Sequence, residues 1–352
     1  MTLALLIIVT LVVAFLAIVE EEERAFYKPY VYWSVAIVLI LCATIRDPGF
    51  DRDSLNYEYR FLHPYDDRAM VKEPTFVGIV EFIRLFSDDV HVLFFCYALL
   101  GVSLKFLAFR KLTPLYFLPL AIYMGNYYVL HELTQIRAGV ASAFFLLAIP
   151  PLAQGKRWVA FFLMAAAAMF HFSALAYLPV LVLNDKPLSK WWRIAMATIV
   201  PIGYAFYLLG IDTDIIALIN IPGLTHKVEI YQGLRDKGVL GYQINVFNAV
   251  FLVKLLIYFY LLYFYDTLVH FGRYISLMLK VMALSIAVFL FFAGLPVVAF
   301  RVSEMLSVVD IILYSYIFFT LRPVWFGRTI VVVISLALFA INIFYTRILE
   351  SV

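Results

Sequence analysis

Arg137 in the run His-Glu-Leu-Thr-Gln-Ile-Arg-Ala-Gly, His171 after a tract of Phe and Ala, and Arg301 with Glu304 in Phe-Arg-Val-Ser-Glu all stand beside long apolar stretches. Asp51, Asp53 and Glu73 add three carboxylates in a polar stretch between two such runs. An ionisable group at bilayer mid-depth costs about 2.5–3.5 kcal/mol by insertion scales, so it persists where it is paired or lines a wet cavity. Two guanidinium groups facing one way suit a pyrophosphate or other dianion, because arginine offers a rigid fork of donors and stays charged. Arg137 also stands near a helix start, where free backbone N–H groups favour an anion. The plainer roles are that each arginine snorkels or pairs with an acid, as Arg301 could with Glu304 one turn away. His171 equally suits a hydrogen-bonded histidine at a helix bend. Any of Asp51, Asp53, Glu73 and Glu304 could act as general base on a hydroxyl, or could be a solvated loop acid or a cap.

Metal and redox chemistry have weaker support. Asp51-Arg52-Asp53 has a metal-chelating Asp-x-Asp spacing, but the tripeptide is common by chance. His131-Glu132 lacks the second histidine of a zincin motif. The two cysteines, Cys42 and Cys96, both lie in apolar runs, where cysteine usually serves as a small hydrophobe. No metal and no cofactor are expected.

The elements that must carry these residues are membrane helices. The 352-residue chain is 65% hydrophobic and 14% charged, against about 45–50% and 25% in a soluble domain. Its uninterrupted apolar runs lack the alternation of barrel strands, which predicts an all-α polytopic membrane protein of one domain, residues 1–352. The apolar N-terminal run has no basic residue before it and is long for a cleaved signal, so it reads as a retained helix. About 12 crossings are expected, the first six at about 3–19, 30–45, 90–109, 113–130, 138–153 and 158–171. The others fall at about 172–184, 194–210, 246–265, 274–293, 302–321 and 328–346. The stretch 158–184 reads either as one long helix or as two meeting near His171. A net charge of +3 implies no nucleic-acid partner.

Basic residues collect in the short loops of one side: Arg24, Lys28, Lys105, Arg110, Lys111, Lys156, Arg157, Lys186, Lys190, Arg193, Arg273, Arg322 and Arg328. The positive-inside rule makes that side cytoplasmic and puts the segments of about 46–89 and 211–245 outside with the candidate site. Within the first of these, Pro74–Phe86 reads as an interfacial helix with Phe76, Val77, Val80, Ile83 and Phe86 on one face. Asp88 and Asp89 should cap the next crossing, and Lys254 and Asp310 are expected to be structural partners, of each other or of other groups.

At these residues the sequence resembles the EpsG family of bacterial polysaccharide polymerases, a branch of the Wzy type. The resemblance runs in order over roughly residues 40–320. It begins with Arg46-Asp-Pro-Gly-Phe-Asp51-Arg-Asp53-Ser-Leu-Asn56-Tyr57, ending in Phe61. Glu73-Pro74-Thr-Phe76 and Gln135-Ile-Arg137-Ala-Gly139 follow, then His171-Phe-Ser173-Ala174 and Arg301-Val-Ser-Glu304. Ser54 departs from the pattern, which often has an aromatic residue after the Asp. The resemblance implies a fold like membrane glycosyltransferases of the O-antigen polymerase and ligase type. It also implies a substrate, an undecaprenyl-pyrophosphate-linked oligosaccharide, and a bacterial cytoplasmic membrane whose outer face carries the site.

Such an enzyme transfers a growing O-antigen, capsule or exopolysaccharide glycan from its lipid carrier to the non-reducing end of a lipid-linked repeat unit. A membrane-resident chain-length regulator is a compatible partner. On that reading Arg137 and Arg301 hold the pyrophosphate, and Asp53 first, then Glu304, Glu73 or Asp51, serves the acceptor hydroxyl. His171, Arg46, Tyr57 and Gln135 belong to the binding set. A rival reading is a lipid-linked oligosaccharide flippase, which should carry cationic groups through its middle and show repeat symmetry; a ligase or acyltransferase is a third. A periplasmic reporter fused after Asp67 should be active and one after Gly155 inactive, and the reverse pattern would invert the orientation.

Overall fold

The computed structural model describes residues 3–20, 26–64, 73–210 and 244–349, so Arg24 and most of the second polar segment, 211–245, lie outside the described residues. All regular structure described is helical. In chain order α1 to α6 span Leu3–Ile18, Lys28–Thr44, Ser54–Leu62, Pro74–Arg84, Val90–Leu112 and Phe117–Ile122. Then come α7 to α12 at Ile136–Ala153, Arg157–Phe170, Lys190–Leu209, Ala249–Tyr263, Tyr265–Phe271 and Ile275–Phe291. The last are α13 (Pro296–Leu306), α14 (Asp310–Ser315) and α15 (Val324–Ala340).

Five stretches are long and apolar enough to cross a bilayer singly: α5, α7, α9, the span Val298–Thr320 through α13 and α14, and Val324–Tyr345. Helices α10 and α11 make a sixth candidate, bent by 78° at their break. Other expected crossings fall on the shorter apolar helices α1, α2, α8 and α12 and on the segment Phe172–Val182. The stretch 158–184 proves to be two elements. Helix α8 ends at His171, whose extended backbone (φ −152°, ψ 114°) turns the chain into a 3₁₀ segment, Phe172–Val182.

Helix α7 packs between α5 and α8, with α2 on the far side of α5. The expected crossing at 113–130 is instead the short α6 running into a π-helical segment, Tyr123–Thr134. One residue, Gln135, separates that segment from α7, so almost no turn lies between the two. Runs of π-helix are rare and concentrate at functional sites. Here the wider turn delivers His131 and Glu132 into the bundle, both buried. Two glycines allow this. A Cβ on Gly101 would lie 2.2 Å from Glu132 Oε2, and one on Gly139 would lie 2.5 Å from the His131 carbonyl oxygen.

Lys105 occupies the space so created. Its Nζ donates to Glu132 Oε1 at 2.5 Å and to the Gly139 carbonyl at 2.6 Å, and Tyr123 donates to the same carboxylate oxygen at 2.9 Å. Lys105 is therefore a buried charge within α5 and leaves the basic-loop series. Lys254 and Asp310 do pair, at 3.2 Å.

The short helix expected in this segment forms as α4, with Pro74 at its first position, where a missing N–H is harmless. Its buried face is narrower than the sequence implies: Phe76, Val80 and Ile83 join a small cluster with Phe94 and Tyr97, while Val77 and Phe86 stay exposed. Thr75 Oγ1 donates to the Met169 carbonyl at 2.7 Å and ties α4 to the end of α8. Asp89 caps α5 by accepting from the His91 N–H, whereas Asp88 faces Arg84 at 3.8 Å.

Removing one partner of a buried pair strands the other charge, at about 3–5 kcal/mol. Lys105→Met should therefore sharply reduce folded protein in the membrane. Adding Glu132→Gln should restore most of it, as read by detergent-solubilised yield and thermal unfolding. Equal loss in the single and double variants would show that the pair itself matters little.

Candidate active site

The segment after α2 is organised by Arg46 and Asp51. Arg46 is fully buried, with its guanidinium 3.8 Å from the Phe94 ring centre, and it donates to the Ala43 carbonyl and, at 3.2 Å, to Asp51 Oδ2. Asp51 Oδ1 accepts from the N–H groups of Asp53 and Ser54, each at 3.0 Å. Both oxygens of Asp51 are thus committed to the turn that starts α3. That is the cap role its sequence position allowed, and it leaves the Asp-x-Asp pair a single available carboxylate. Among the described residues no three His, Cys, Asp or Glu side chains converge on a point that could hold a metal.

Asp53 heads α3 but caps nothing. Its carboxylate makes no hydrogen bond or ion pair with a described residue, and Arg137, Arg301 and Arg60 lie near enough to act on it. Burial, and then the charge of Asp51, lift its pKa above the usual aspartate value, while the three arginines oppose the rise.

Glu73 and Arg137 meet across the mouth of the bundle. Glu73, at the N-terminus of α4, accepts from Arg137 Nη1 at 2.7 Å, and His171 Nδ1 lies 3.4 Å from its other oxygen. Burial works to raise the Glu73 pKa, but His171 and Arg137 outweigh it and hold the carboxyl at about 2. The guanidinium lies 5.7 Å from the ring centres of Tyr57 and Phe76. Arg137 Nε is buried without a hydrogen-bond partner among the described residues, and Tyr57 also acts on the guanidinium, so Glu73 and Tyr57 together hold the fork.

Glu304 forms the third group. Its Oε1 is 3.6 Å from His131 Nε2, and Arg301 and Gln135 act on the same carboxylate. His131 is fully buried and its Nδ1 lies 3.2 Å from Ser142 Oγ. Arg301, exposed on α13, is near both Glu304 and Asp53 and forms no ion pair with a described residue.

The structure thus brings Asp53, Glu73, Arg137, His171, Arg301, Glu304, Gln135 and Tyr57 to one end of the bundle, with Arg46 and Asp51 beneath the turn that carries Asp53. His131 was not visible as a site residue. The sequence offers little signal for it, because the acid it faces, Glu304, lies far along the chain.

A family model described as the EpsG family matches residues 29–351, nearly the whole chain. No curated protein and no solved structure gives a significant match.

The Glu73 carboxyl ionises well below its ordinary value of 4.5, so its contribution to stability is complete above that value and is lost only as pH falls through about 2. Glu73→Gln should lower the melting temperature in detergent by the same amount at all pH from about 5 to about 9. A deficit that shrinks toward the acid end would mean that Glu73 is not held ionised by Arg137.

Proposed function

Because the chain belongs to the EpsG family, a family of Wzy-type polymerases, we propose that it extends a bacterial polysaccharide by transferring the growing glycan from undecaprenyl pyrophosphate to a lipid-linked repeat unit. The site lies at the outer face of the cytoplasmic membrane in a bundle of about 12 crossings. The reading is carried furthest by Asp53, a carboxylate with no ionic partner among the described residues that feels the charges of two guanidinium groups, Arg137, which is paired with Glu73, and Arg301, which has no ionic partner among the described residues.

In the proposed reaction the acceptor hydroxyl gives its proton to Asp53, and its oxygen attacks the anomeric carbon of the donor glycan. The bond from that carbon to the pyrophosphate oxygen breaks, and undecaprenyl pyrophosphate leaves with the electron pair. Arg137 and Arg301 stabilise the charge that grows on the leaving group. Two guanidinium cations supply the charge that a metal ion would otherwise provide, so the reaction is metal-independent. A raised Asp53 pKa makes it a stronger base than a free aspartate. Glu73 and His171 position Arg137, and Arg46 and Asp51 position Asp53. Glu304, held by His131 and Gln135, orients the acceptor.

Cells lacking the protein should accumulate a single repeat unit on undecaprenyl pyrophosphate, seen by mass analysis of lipid-linked glycans. Asp53→Asn, at normal membrane level, should fail to restore long chains, with polymerisation down by about 10²–10⁴-fold. Asp51→Asn should instead lower the protein level. Accumulation confined to the cytoplasmic face would favour a flippase, and full-length glycan from Asp53→Asn would remove the base from Asp53.

A further inference from the structure

Two half-buried apolar stripes face each other across a gap in the lipid-facing side of the bundle. On α10 the stripe is Val250, Val253, Ile257 and Tyr260. On α15 and the turn after it the stripe is Phe326, Ile330, Ile334, Leu338 and Ile341. Both follow the three- and four-residue spacing of a single helix face. The span from Val298 to Thr320 forms the floor, with Tyr314 and Ile317 along it and Leu321 just past its end. From Phe326 to Ile341 the seam runs about 22 Å at 1.5 Å per residue.

The seam has two halves of opposite character, and Ile257 lines both. The half remote from Glu304 is a trough of about 340 Å³ walled by aliphatic and aromatic side chains. Its one polar wall group, the Tyr260 hydroxyl, is paired with Thr320 Oγ1 at 2.5 Å. The half toward the candidate site is a cavity of about 300 Å³ whose polar groups include Asn126, Asn342, Lys254, Asp310 and Glu304. Lys254 is neutralised by Asp310 and donates to Ser285 and Ser307. Asp310 Oδ1 is buried without a partner, which leaves an acceptor unfilled on the cavity floor. The upper rim reaches the catalytic turn: Thr346 lines the cavity, and its carbonyl accepts from Arg52 Nη2 at 2.8 Å. Outer edges of the seam, Val253, Leu256 and Phe326, remain exposed on the side that faces lipid.

An apolar trough that opens sideways and continues into a polar cavity beside arginines matches one kind of ligand, a long hydrocarbon chain carrying an anionic, hydroxyl-rich head. We infer that this seam holds a polyisoprenoid pyrophosphate, with its chain in the trough beside Ile257, Ile330 and Ile334 and its head beneath Glu304 and Arg301. The carrier then enters laterally from the bilayer and never leaves it. An ordinary diacyl phospholipid shares the hydrocarbon chemistry, but its paired chains ask for a wider trough than one walled by two helices. The inference rests on the proposed polymerase reading for the identity of the head group, and its test is independent of turnover.

The test is photo-crosslinking in the full-length protein. Ile334→p-benzoylphenylalanine places a photoreactive ketone in the trough, and Ile202→p-benzoylphenylalanine places one on the exposed face of α9 as control. Both proteins are reconstituted in phosphatidylethanolamine–phosphatidylglycerol vesicles with radiolabelled undecaprenyl pyrophosphate and irradiated. Labelling at position 334 should exceed that at 202 by about tenfold or more. Unlabelled undecaprenyl pyrophosphate should displace it, and phosphatidic acid at the same concentration should not. Equal labelling at the two positions, or equal displacement by phosphatidic acid, overturns the seam as a carrier site. If the unsubstituted protein polymerises while position 334 stays unlabelled, the seam is wrong and the polymerase reading stands. Selective labelling by a protein that does not polymerise supports the seam and removes the polymerase reading.

Discussion

A guanidinium at the end of an apolar bundle must be neutralised if the bundle is to hold it still, and for Arg137 that partner is Glu73. Much of the candidate site follows from this pair. Glu73 can reach Arg137 because α4 begins there with a proline and packs Phe76, Val80 and Ile83 onto the outer part of α5. His171 reaches the same carboxylate because α8 stops at it and the chain turns into a 3₁₀ segment. Three separate stretches of chain are thereby fixed to one side chain. Arg137 keeps an unpartnered Nε that a tighter, fully bidentate pair would have consumed.

The charged residues divide by whether a partner already satisfies them. Arg46 with Asp51, Lys105 with Glu132 and Lys254 with Asp310 are closed pairs that stabilise turns and helix packing. Such pairs favour one arrangement mainly because stranding either member is costly. Asp53 and Arg301 differ, since neither has an ionic partner among the described residues although each feels the other's charge.

Part of this was legible in the sequence. Long apolar runs fixed the helical class, Pro74 and the spacing of Phe76, Val80 and Ile83 placed α4, and two isolated charges in apolar runs pointed to the Lys254–Asp310 pair. The identity of the convergent residues came from the order of short motifs, not from any one of them. Lys105 misled because a lysine near a helix end looks like a loop charge until its partner is known. That partner, Glu132, is delivered by a π-helical segment, and a five-residue hydrogen-bond repeat leaves no trace in hydrophobic periodicity. The division of labour between Asp51 and Asp53 was equally hidden. Two acids two residues apart look alike until backbone amides and Arg46 engage one of them.

Asp53, which has no ionic partner among the described residues and feels the charges of Arg137 and Arg301, is proposed to support chain transfer on a lipid carrier. Purified protein in liposomes with undecaprenyl-pyrophosphate-linked repeat units tests it most directly, by following glycan length and released carrier together. The account predicts a ladder of lipid-linked products with one undecaprenyl pyrophosphate released per added repeat, in the presence of EDTA as well as in its absence. Movement of the substrate across the bilayer without lengthening, or a ladder that requires added divalent metal, would contradict it.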